Sequence, residues 1–134
     1  MLSKPVLTVA ETTRILEAAR AEAEKHQWAV AIVVVDDGGH QLGMLRLDGS
    51  APASSYIATE KARTSAIGRR ETKVYEDMIN NGRTAFLSAP LLGTLEGGVP
   101  VIVDGHVIGA VGVSGVKSDQ DAQIAKAGIQ ALAV

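Results

Sequence analysis

Residues 28–40 read WAVAIVVVDDGGH, an apolar run that ends in two aspartates and two glycines. A second apolar segment follows from about His40 to Leu47. Two such runs joined by an Asp-Asp-Gly-Gly turn predict a β-hairpin. The first run is apolar at every position rather than at alternate positions, so we expect both faces of its strand to be covered.

A second hairpin is predicted near the C-terminus. Residues 101–103 and 107–113 are rich in β-branched side chains and are separated by the turn Asp104-Gly105. Asp-Gly between two such runs is a strong local signal for a hairpin. The preceding segment, 81–98, has the composition of a loop, and Ser114-Gly115 ends the last strand.

Helical spacing of apolar residues predicts four helices. Thr8 and Glu11 have the spacing of a capping box at the start of the first helix. The second helix carries small residues at helical spacing, so it can approach its neighbours closely. The predicted helices are 9–26, Ser54 or Ser55 to Ile67, Glu71 to about Asn80, and a last one capped by Ser118 or Asp119 that buries Ile124, Ala127, Ala131 and Leu132.

The order of these elements indicates the fold class. A helix, two strands, two helices, two strands and a final helix lack the regular βαβ alternation of a doubly wound fold. We therefore expect an α+β fold with an antiparallel sheet whose helices pack mainly on one face. The length of 134 residues suits one domain over residues 1–134.

Composition excludes several classes of function. The chain has no cysteine, which excludes disulfides, thiolate zinc sites, iron–sulfur clusters and a cysteine nucleophile. The net charge of −2, without a basic block, argues against a nucleic-acid partner. No apolar stretch reaches the length of a membrane span, and residues 1–14 lack an apolar signal core, so we expect a cytoplasmic protein without a membrane partner.

The three histidines, His26, His40 and His106, are isolated in the sequence. His26 is expected at a helix end, where a cationic imidazole suits the helix dipole. His40 and His106 each begin a strand after a glycine turn, so each is either an exposed turn residue or a ligand, for example to a haem iron. Ser114 is not a nucleophile elbow, because Val116 occupies the position of the second glycine.

A pair of glycines, Gly97 and Gly98, precedes the third strand. Because a strand rather than a helix follows, the pair does not form a dinucleotide-binding loop. Paired glycines can nevertheless present free N–H groups to a carboxylate, and the alternative is a tight turn that leads into the strand.

Three polar residues are candidates for binding a ligand. Lys61 and Thr64 lie one turn apart on one face of the second helix. Together with the glycine pair they could bind a small carboxylate or a porphyrin propionate, and the alternative for Lys61 is a solvated helix face. Arg46 is polar between the apolar Leu45 and Leu47, as in the alternating pattern of a strand. This pattern predicts that its side chain points outward or into a pocket. The aspartates of the turns are explained by turn chemistry, and no catalytic residue stands out.

Taken in order, these segments resemble the GlcG/HbpS-like family, the small haem-binding or haem-degrading domain also found at the C-terminus of PduO-type corrinoid adenosyltransferases. The resemblance covers nearly the whole chain and depends on the ordered set rather than on any one motif. The matching residues are 34–40 (VVDDGGH), 46–49 (RLDG), 61–65 (KARTS), 97–101 (GGVPV), Asp104-Gly105, 108–115 (IGAVGVSG), Asp121 and Gly128.

The resemblance implies a profilin-like α+β domain that assembles into homo-oligomers, often tetramers or octamers. It also implies haem in a groove at or near subunit contacts, with a helix hydroxyl and a histidine as ligand types. Thr64 matches that hydroxyl, although Ser65 replaces the final alanine of the motif, and His40 matches the turn position of the histidine.

Two functions follow as hypotheses. The first is a haem-binding module for haem storage, sensing or degradation, in which Thr64 or His40 ligates the iron. Arg46, Lys61 or Arg63 would then face the propionates.

The second hypothesis is an enzyme or binding protein for a small carboxylic or aromatic acid in a catabolic pathway. Gly97, Gly98 and Arg46 would hold the carboxylate, and an Asp or His would move a proton. A purely structural oligomer is a third possibility.

Overall fold

The structure is a computed structural model that describes residues 1–132. The last two residues of the predicted domain, 133 and 134, lie outside the described residues. The elements in chain order are α1 (Val9–Lys25), β1 (Ala31–Asp36), β2 (Gln41–Arg46), α2 (Pro52–Gly68), α3 (Thr72–Asn80), a short 3-10 helix (Thr84–Ser88), β3 (Gly98–Val103), β4 (His106–Ser114) and α4 (Ser118–Gln130).

The four strands form one antiparallel sheet in the order β2-β1-β4-β3. Both predicted hairpins are present, with Val33 opposite Met44 in one and Val99 opposite Val111 in the other. The strands β1 and β4 pair in the middle of the sheet. The predicted α+β class with an antiparallel sheet is therefore confirmed.

Helices cover both faces of this sheet, which differs from the expected packing mainly on one face. One core lies between the sheet and the helices α1 and α4, and the other lies beneath α2. The reason is visible in β1, whose residues 31–35 are all buried and alternate between the two cores. Ile32 and Val34 face Ile15 and Ile124, whereas the side chains on the other face of β1 meet a row of alanines, Ala58, Ala62 and Ala66.

The helix α2 lies against the backbone of the sheet. A Cβ at Gly112 would overlap the carbonyl oxygen of Ala58, and a Cβ at Gly98 would overlap the carbonyl oxygen of Lys61. Neither position therefore has room for a side chain, and α2 approaches β3 and β4 more closely than a layer of larger side chains would allow. This close contact fixes the position of every residue on the outer face of α2.

Several boundaries differ from the predictions. The helix α2 begins at Pro52 rather than at Ser54 or Ser55, because proline at the first helical position already has a helical φ. The strand β3 begins at Gly98. A 3-10 helix lies inside the segment predicted as loop. Because α4 ends at Gln130, Ala131 is exposed rather than buried.

Candidate functional site

A groove runs along the outer face of α2, where the segment 90–95 packs against the helix. It consists of two adjoining cavities of about 130 Å³ and about 160 Å³ that share Glu60 and Leu92. We call this feature the α2 groove. Its lining residues are Tyr56, Ile57, Glu60, Arg63, Thr64, Ile67, Pro90, Leu91, Leu92, Gly93 and Leu95.

Thr64 is the buried hydroxyl of the α2 groove. Its side chain is almost inaccessible to solvent, and its Oγ1 accepts a hydrogen bond from the backbone N–H of Gly93 at 2.9 Å. A hydroxyl has one proton and two lone pairs, so this bond leaves the proton and one lone pair of Thr64 for another group. The bond also ties the segment 90–95 to α2.

The rim of the α2 groove is unusually apolar for a surface. Tyr56 and Leu92 are each 78% exposed, and Ile57, Ile67 and Leu95 are more than one third exposed. Contiguous exposed apolar residues mark sites at which a protein meets a ligand or another protein. The guanidinium of Arg63 lies 3.6 Å from Glu60 and adds a positive charge to the same rim.

His40 lies at the turn between β1 and β2, beside the C-terminal end of α2, which also carries Thr64. A Cβ at Gly39 would come within 2.8 Å of Arg63 Cγ and 3.4 Å of Ile67 Cγ2, so this turn packs directly on the helix. The imidazole is 82% exposed, and its Nδ1 lies 3.2 Å from Asp36 Oδ1. The Nε2 of His40 therefore faces outward without a hydrogen-bond partner among residues 1–132.

Asp36 is held in its ionised form. Partial burial alone would raise the pKa of its carboxyl, but the backbone N–H groups of His40 and Gly38 donate to Oδ1 and, with the His40 ring, lower that pKa below its usual value. An ionised carboxylate on one imidazole nitrogen orients the ring and fixes its tautomer. This is the usual arrangement of a histidine that ligates a metal.

Lys61 points away from the groove, into the protein. Its ammonium is buried and donates hydrogen bonds to the carbonyl oxygen of Val113 at 2.9 Å and to Asp121 Oδ2 at 3.0 Å. Burial raises the pKa of the Asp121 carboxyl, against the attraction of Lys61. The solvated helix face considered for Lys61 is wrong, because its ammonium is buried in this ion pair and does not reach the groove.

The glycine pair is close to α2, but the N–H of Gly98 is not the free donor that was expected. The N–H of Gly98 donates to Thr72 Oγ1 at 2.9 Å, and the carbonyl oxygen of Gly97 accepts from the N–H of Val113 at 3.0 Å. Gly97 has a φ of +131°, so it is a turn that leads into β3. The Gly98 N–H is therefore not free for a carboxylate, which removes it from the predicted carboxylate site.

Arg46 lies far from Thr64 in the folded chain. It ends β2, whereas His40 directly precedes that strand, so the strand separates them by about 17 Å. Its side chain is exposed as predicted, but it lines a different cavity at the end of α1. The structure thus brings Thr64 and the His40 turn to one end of α2 and leaves Arg46 elsewhere.

The other two histidines lie away from the α2 groove, at the ends of secondary-structure elements. His26 caps the C-terminus of α1, with Nε2 at 3.0 Å from Glu22 Oε2 and its ring stacked on Trp28. His106 begins β4 and is half-buried. Among residues 1–132 no three His, Asp or Glu side chains gather into a metal cluster. Within that range, there is also no helix with the length and apolar character needed to cross a bilayer.

Two residues of this region were missed by sequence reasoning. Gly93 binds the Thr64 hydroxyl, and Thr72 binds the Gly98 N–H and also donates to the carbonyl oxygen of Leu95 at 2.5 Å. Both act through contacts between residues more than 20 positions apart. No local pattern in the sequence signals such contacts.

Comparison with known proteins gives consistent similarities. The family model described as haem-degrading protein HbpS-like matches residues 7–130. The protein GlcG of Escherichia coli strain K12 is 59% identical over 114 residues, which cover 85% of each chain.

Solved structures agree with this result. A double mutant of HbpS from Streptomyces reticuli superposes with a TM-score of 0.89 at 32% identity, covering 100% of this chain and 92% of that one. A structure described as the PduOC:Heme complex superposes with a TM-score of 0.86 at 27% identity, covering 97% of each chain.

Proposed function

Because the chain belongs to the family of HbpS-like haem-degrading proteins, we propose that it is a haem-binding module that takes haem at the α2 groove. The observation that carries the proposal is the similarity to the PduOC:Heme complex, which has the same fold over nearly the whole chain. The groove supplies the side chains that such a ligand requires.

The α2 groove and the neighbouring His40 turn fit haem in four respects. Ile67, Leu91 and Leu92 offer apolar contacts to a macrocycle, and the Arg63 guanidinium offers a positive charge to a propionate. His40, oriented by Asp36, presents Nε2 as the iron ligand. Thr64 contributes its remaining lone pair or proton at the floor of the groove. Bound haem would supply an iron centre capable of redox chemistry.

The small size of the groove supports a site that is completed by a second copy of the chain. Each of its cavities is below the 300–1,000 Å³ that is usual for pockets that enclose a drug-sized ligand. A haem seated there would leave much of its surface in water unless a second copy of the chain covered it. The exposed Tyr56 and Leu92 are suited to that contact. We therefore propose a homo-oligomer, a tetramer or octamer, with haem at or near the subunit contact.

Titration with hemin tests the proposal. The wild-type protein should give a sharp, saturable shift of the Soret band. His40→Ala should lose that spectrum and weaken binding about tenfold or more, because the iron loses its nitrogen ligand. Thr64→Val keeps the shape of Thr64 and removes its hydroxyl, so it should also alter the spectrum.

His106→Ala is the matched control, since His106, like His40, directly follows a glycine turn. This substitution should leave the spectrum unchanged. Unchanged spectra in both His40→Ala and Thr64→Val would show that hemin only adsorbs to apolar surface.

The role of the bound haem is a finer part of the proposal. Storage or sensing requires that the Soret band persists when ascorbate and O₂ are added to the loaded protein. A part in degradation requires that the band decays faster than for free hemin and that a linear tetrapyrrole appears. The same His40→Ala variant separates a reaction at the proposed site from decay in solution.

A further inference from the structure

Thr72, the first residue of α3, has a buried hydroxyl to which the proposed haem site assigns no role. Its Oγ1 makes two hydrogen bonds to the backbone of residues 95–98. The hydroxyl donates its proton to the carbonyl oxygen of Leu95 at 2.5 Å and accepts the N–H of Gly98 at 2.9 Å. One threonine thus binds both the beginning and the end of this short segment.

Leu95 and Gly98 are the first and fourth residues of a turn. In a turn of this length the N–H of the fourth residue commonly bonds to the carbonyl oxygen of the first. Here the hydroxyl of Thr72 connects those two groups, because a hydroxyl can donate and accept at the same time. The Thr72 side chain is therefore a part of the turn, although it belongs to another element.

This turn joins the α2 groove to the sheet. Gly98 begins β3 and lies directly on α2, since a Cβ there would overlap the carbonyl oxygen of Lys61. Leu95, at the other end of the turn, lines the groove and belongs to its wall opposite α2, residues 90–95. The distance between this wall and α2 therefore depends on how the turn is held.

The helix α3 is itself fixed to the end of α2, so Thr72 is a firm anchor. Tyr75, one turn further along α3, is buried, and its hydroxyl lies 3.4 Å from the carbonyl oxygen of Gly68 at the C-terminus of α2. The Tyr75 ring stacks on Phe86, with 5.0 Å between the ring centroids. These contacts hold the first turn of α3 beside the groove.

From Leu95 the wall leads directly to Thr64. Gly93, two residues before Leu95, donates its N–H to Thr64 Oγ1 at 2.9 Å. Gly93 also lies on the backbone of α2, because a Cβ there would overlap the carbonyl oxygen of Glu60. A displacement of Leu95 therefore reaches Gly93 through a single residue and disturbs the hydrogen bond that orients the Thr64 hydroxyl.

We propose that Thr72 is a positioning residue of the α2 groove. Its hydroxyl holds residues 90–95 at the distance from α2 at which Gly93 binds Thr64 and a ligand fits between the two walls. Thr72 does not line the groove, so it acts on the ligand through Leu95 and Gly93. This inference deepens the proposed haem-binding function and rests on it for the identity of the ligand.

Amide hydrogen exchange of the ligand-free protein, followed by NMR, tests the positioning role. In Thr72→Val the Gly93 amide should exchange about tenfold faster than in the wild-type protein, because the wall loses the hydroxyl that holds it. The amide of Val33, in the middle of the sheet, should be accelerated less. Equal acceleration of both amides would mean that only the overall stability had changed, and would overturn the proposal.

Three further variants complete this experiment. Thr72→Ser keeps the hydroxyl and should restore the wild-type exchange rate of Gly93. Thr72→Ala removes the hydroxyl without placing a methyl group against the Leu95 carbonyl oxygen, so it should behave like Thr72→Val and replaces it if that variant does not fold. Thr59→Val is the matched control, since the Thr59 hydroxyl bonds only within α2, to the carbonyl oxygen of Ser55, and does not line the groove.

Hemin titration of the same variants measures the effect on the ligand. Thr72→Val should shift the Soret maximum and weaken hemin binding about tenfold, and Thr72→Ser should restore both. Wild-type hemin affinity and an unchanged spectrum in Thr72→Val would overturn the positioning role even if the exchange of Gly93 were faster. A wild-type protein that does not bind hemin would contradict the proposed function instead, and the exchange rates alone would then decide whether Thr72 holds Gly93 on Thr64.

Discussion

The buried ion pair of Lys61 and Asp121 joins three elements at the level of single residues. The ammonium of Lys61 on α2 reaches the carbonyl oxygen of Val113 on β4 and the carboxylate of Asp121 on α4. Asp121 Oδ1 in turn accepts the N–H of Val116, so both charged groups are also hydrogen-bonded to the backbone. Removing one partner would leave a charge in the interior without compensation.

We therefore expect Lys61→Met to lower the free energy of unfolding by about 3–5 kcal/mol, measured by urea denaturation. The double variant Lys61→Met, Asp121→Leu should be markedly more stable than the single one, because it removes both charges. Lys73→Met is the control, since Lys73 pairs with Asp77 on the surface and should cost less than about 1 kcal/mol. A loss of that small size in Lys61→Met would contradict the structural role of the pair.

The same residue shows a limit of sequence reasoning. The spacing of Lys61 and Thr64 correctly placed both on one helix, but not the direction in which each side chain points. Lys61 is buried because Asp121 lies opposite it, 60 positions along the chain. A lysine without that partner would belong at the surface, and the pairing of distant residues is not contained in any local pattern.

At the level of elements, the contact between α2 and the sheet depends on two strand glycines, which have no side chain. Gly112 meets the backbone of Ala58 and Ala62, and Gly98 meets the backbone of Lys61. The hairpins and helices were predictable because their signals are local: Asp-Gly turns, β-branched runs and capping residues. The sequence also indicated that α2 can approach closely, but the face of the sheet that it covers depends on which strand glycines lie opposite its alanines.

Gly112→Ala should therefore be costly. The added Cβ cannot be accommodated by rotating a side chain, because it meets backbone atoms of α2, so we expect a loss of about 1–3 kcal/mol or more in urea denaturation. Gly43→Ala is the matched control in β2, where the added methyl group meets only the ends of Leu16 and Thr12 side chains. If the two variants lose equal stability, close backbone contact does not fix α2.

At the level of the whole molecule, the two faces of the sheet are covered but the outer side of α2 is not. The exposed apolar residues around the α2 groove are concentrated on that side, which also contains Thr64 and the His40 turn. A single chain thus presents its proposed ligand site and a group of exposed apolar side chains together. The sequence singled out Thr64 and His40 as candidate binding residues, but it did not indicate the apolar surface around them, since exposure is a property of the folded chain.

Light scattering tests whether this side forms the subunit contact. The wild-type chain should have several times the 13.9 kDa mass of one protomer. Leu92→Glu should shift the mass towards that of the monomer and weaken hemin binding, because it places a charge on the apolar rim. Ile102→Glu, at an exposed position on the edge strand β3, should leave both unchanged. A wild-type monomer would contradict an interfacial site.

The backbone contact of α2 with the sheet has a consequence for which part of the groove can change shape. The helix that carries Thr64 lies directly against the backbone of β3 and β4, so it cannot move towards the sheet. Binding of ligands of different shape must then depend on the opposite wall, residues 90–95. Two hydrogen bonds, Gly93–Thr64 and Thr72–Leu95, connect that segment to the rest of the chain. We therefore expect substitutions in residues 90–95 to change what the groove binds while the fold stays the same.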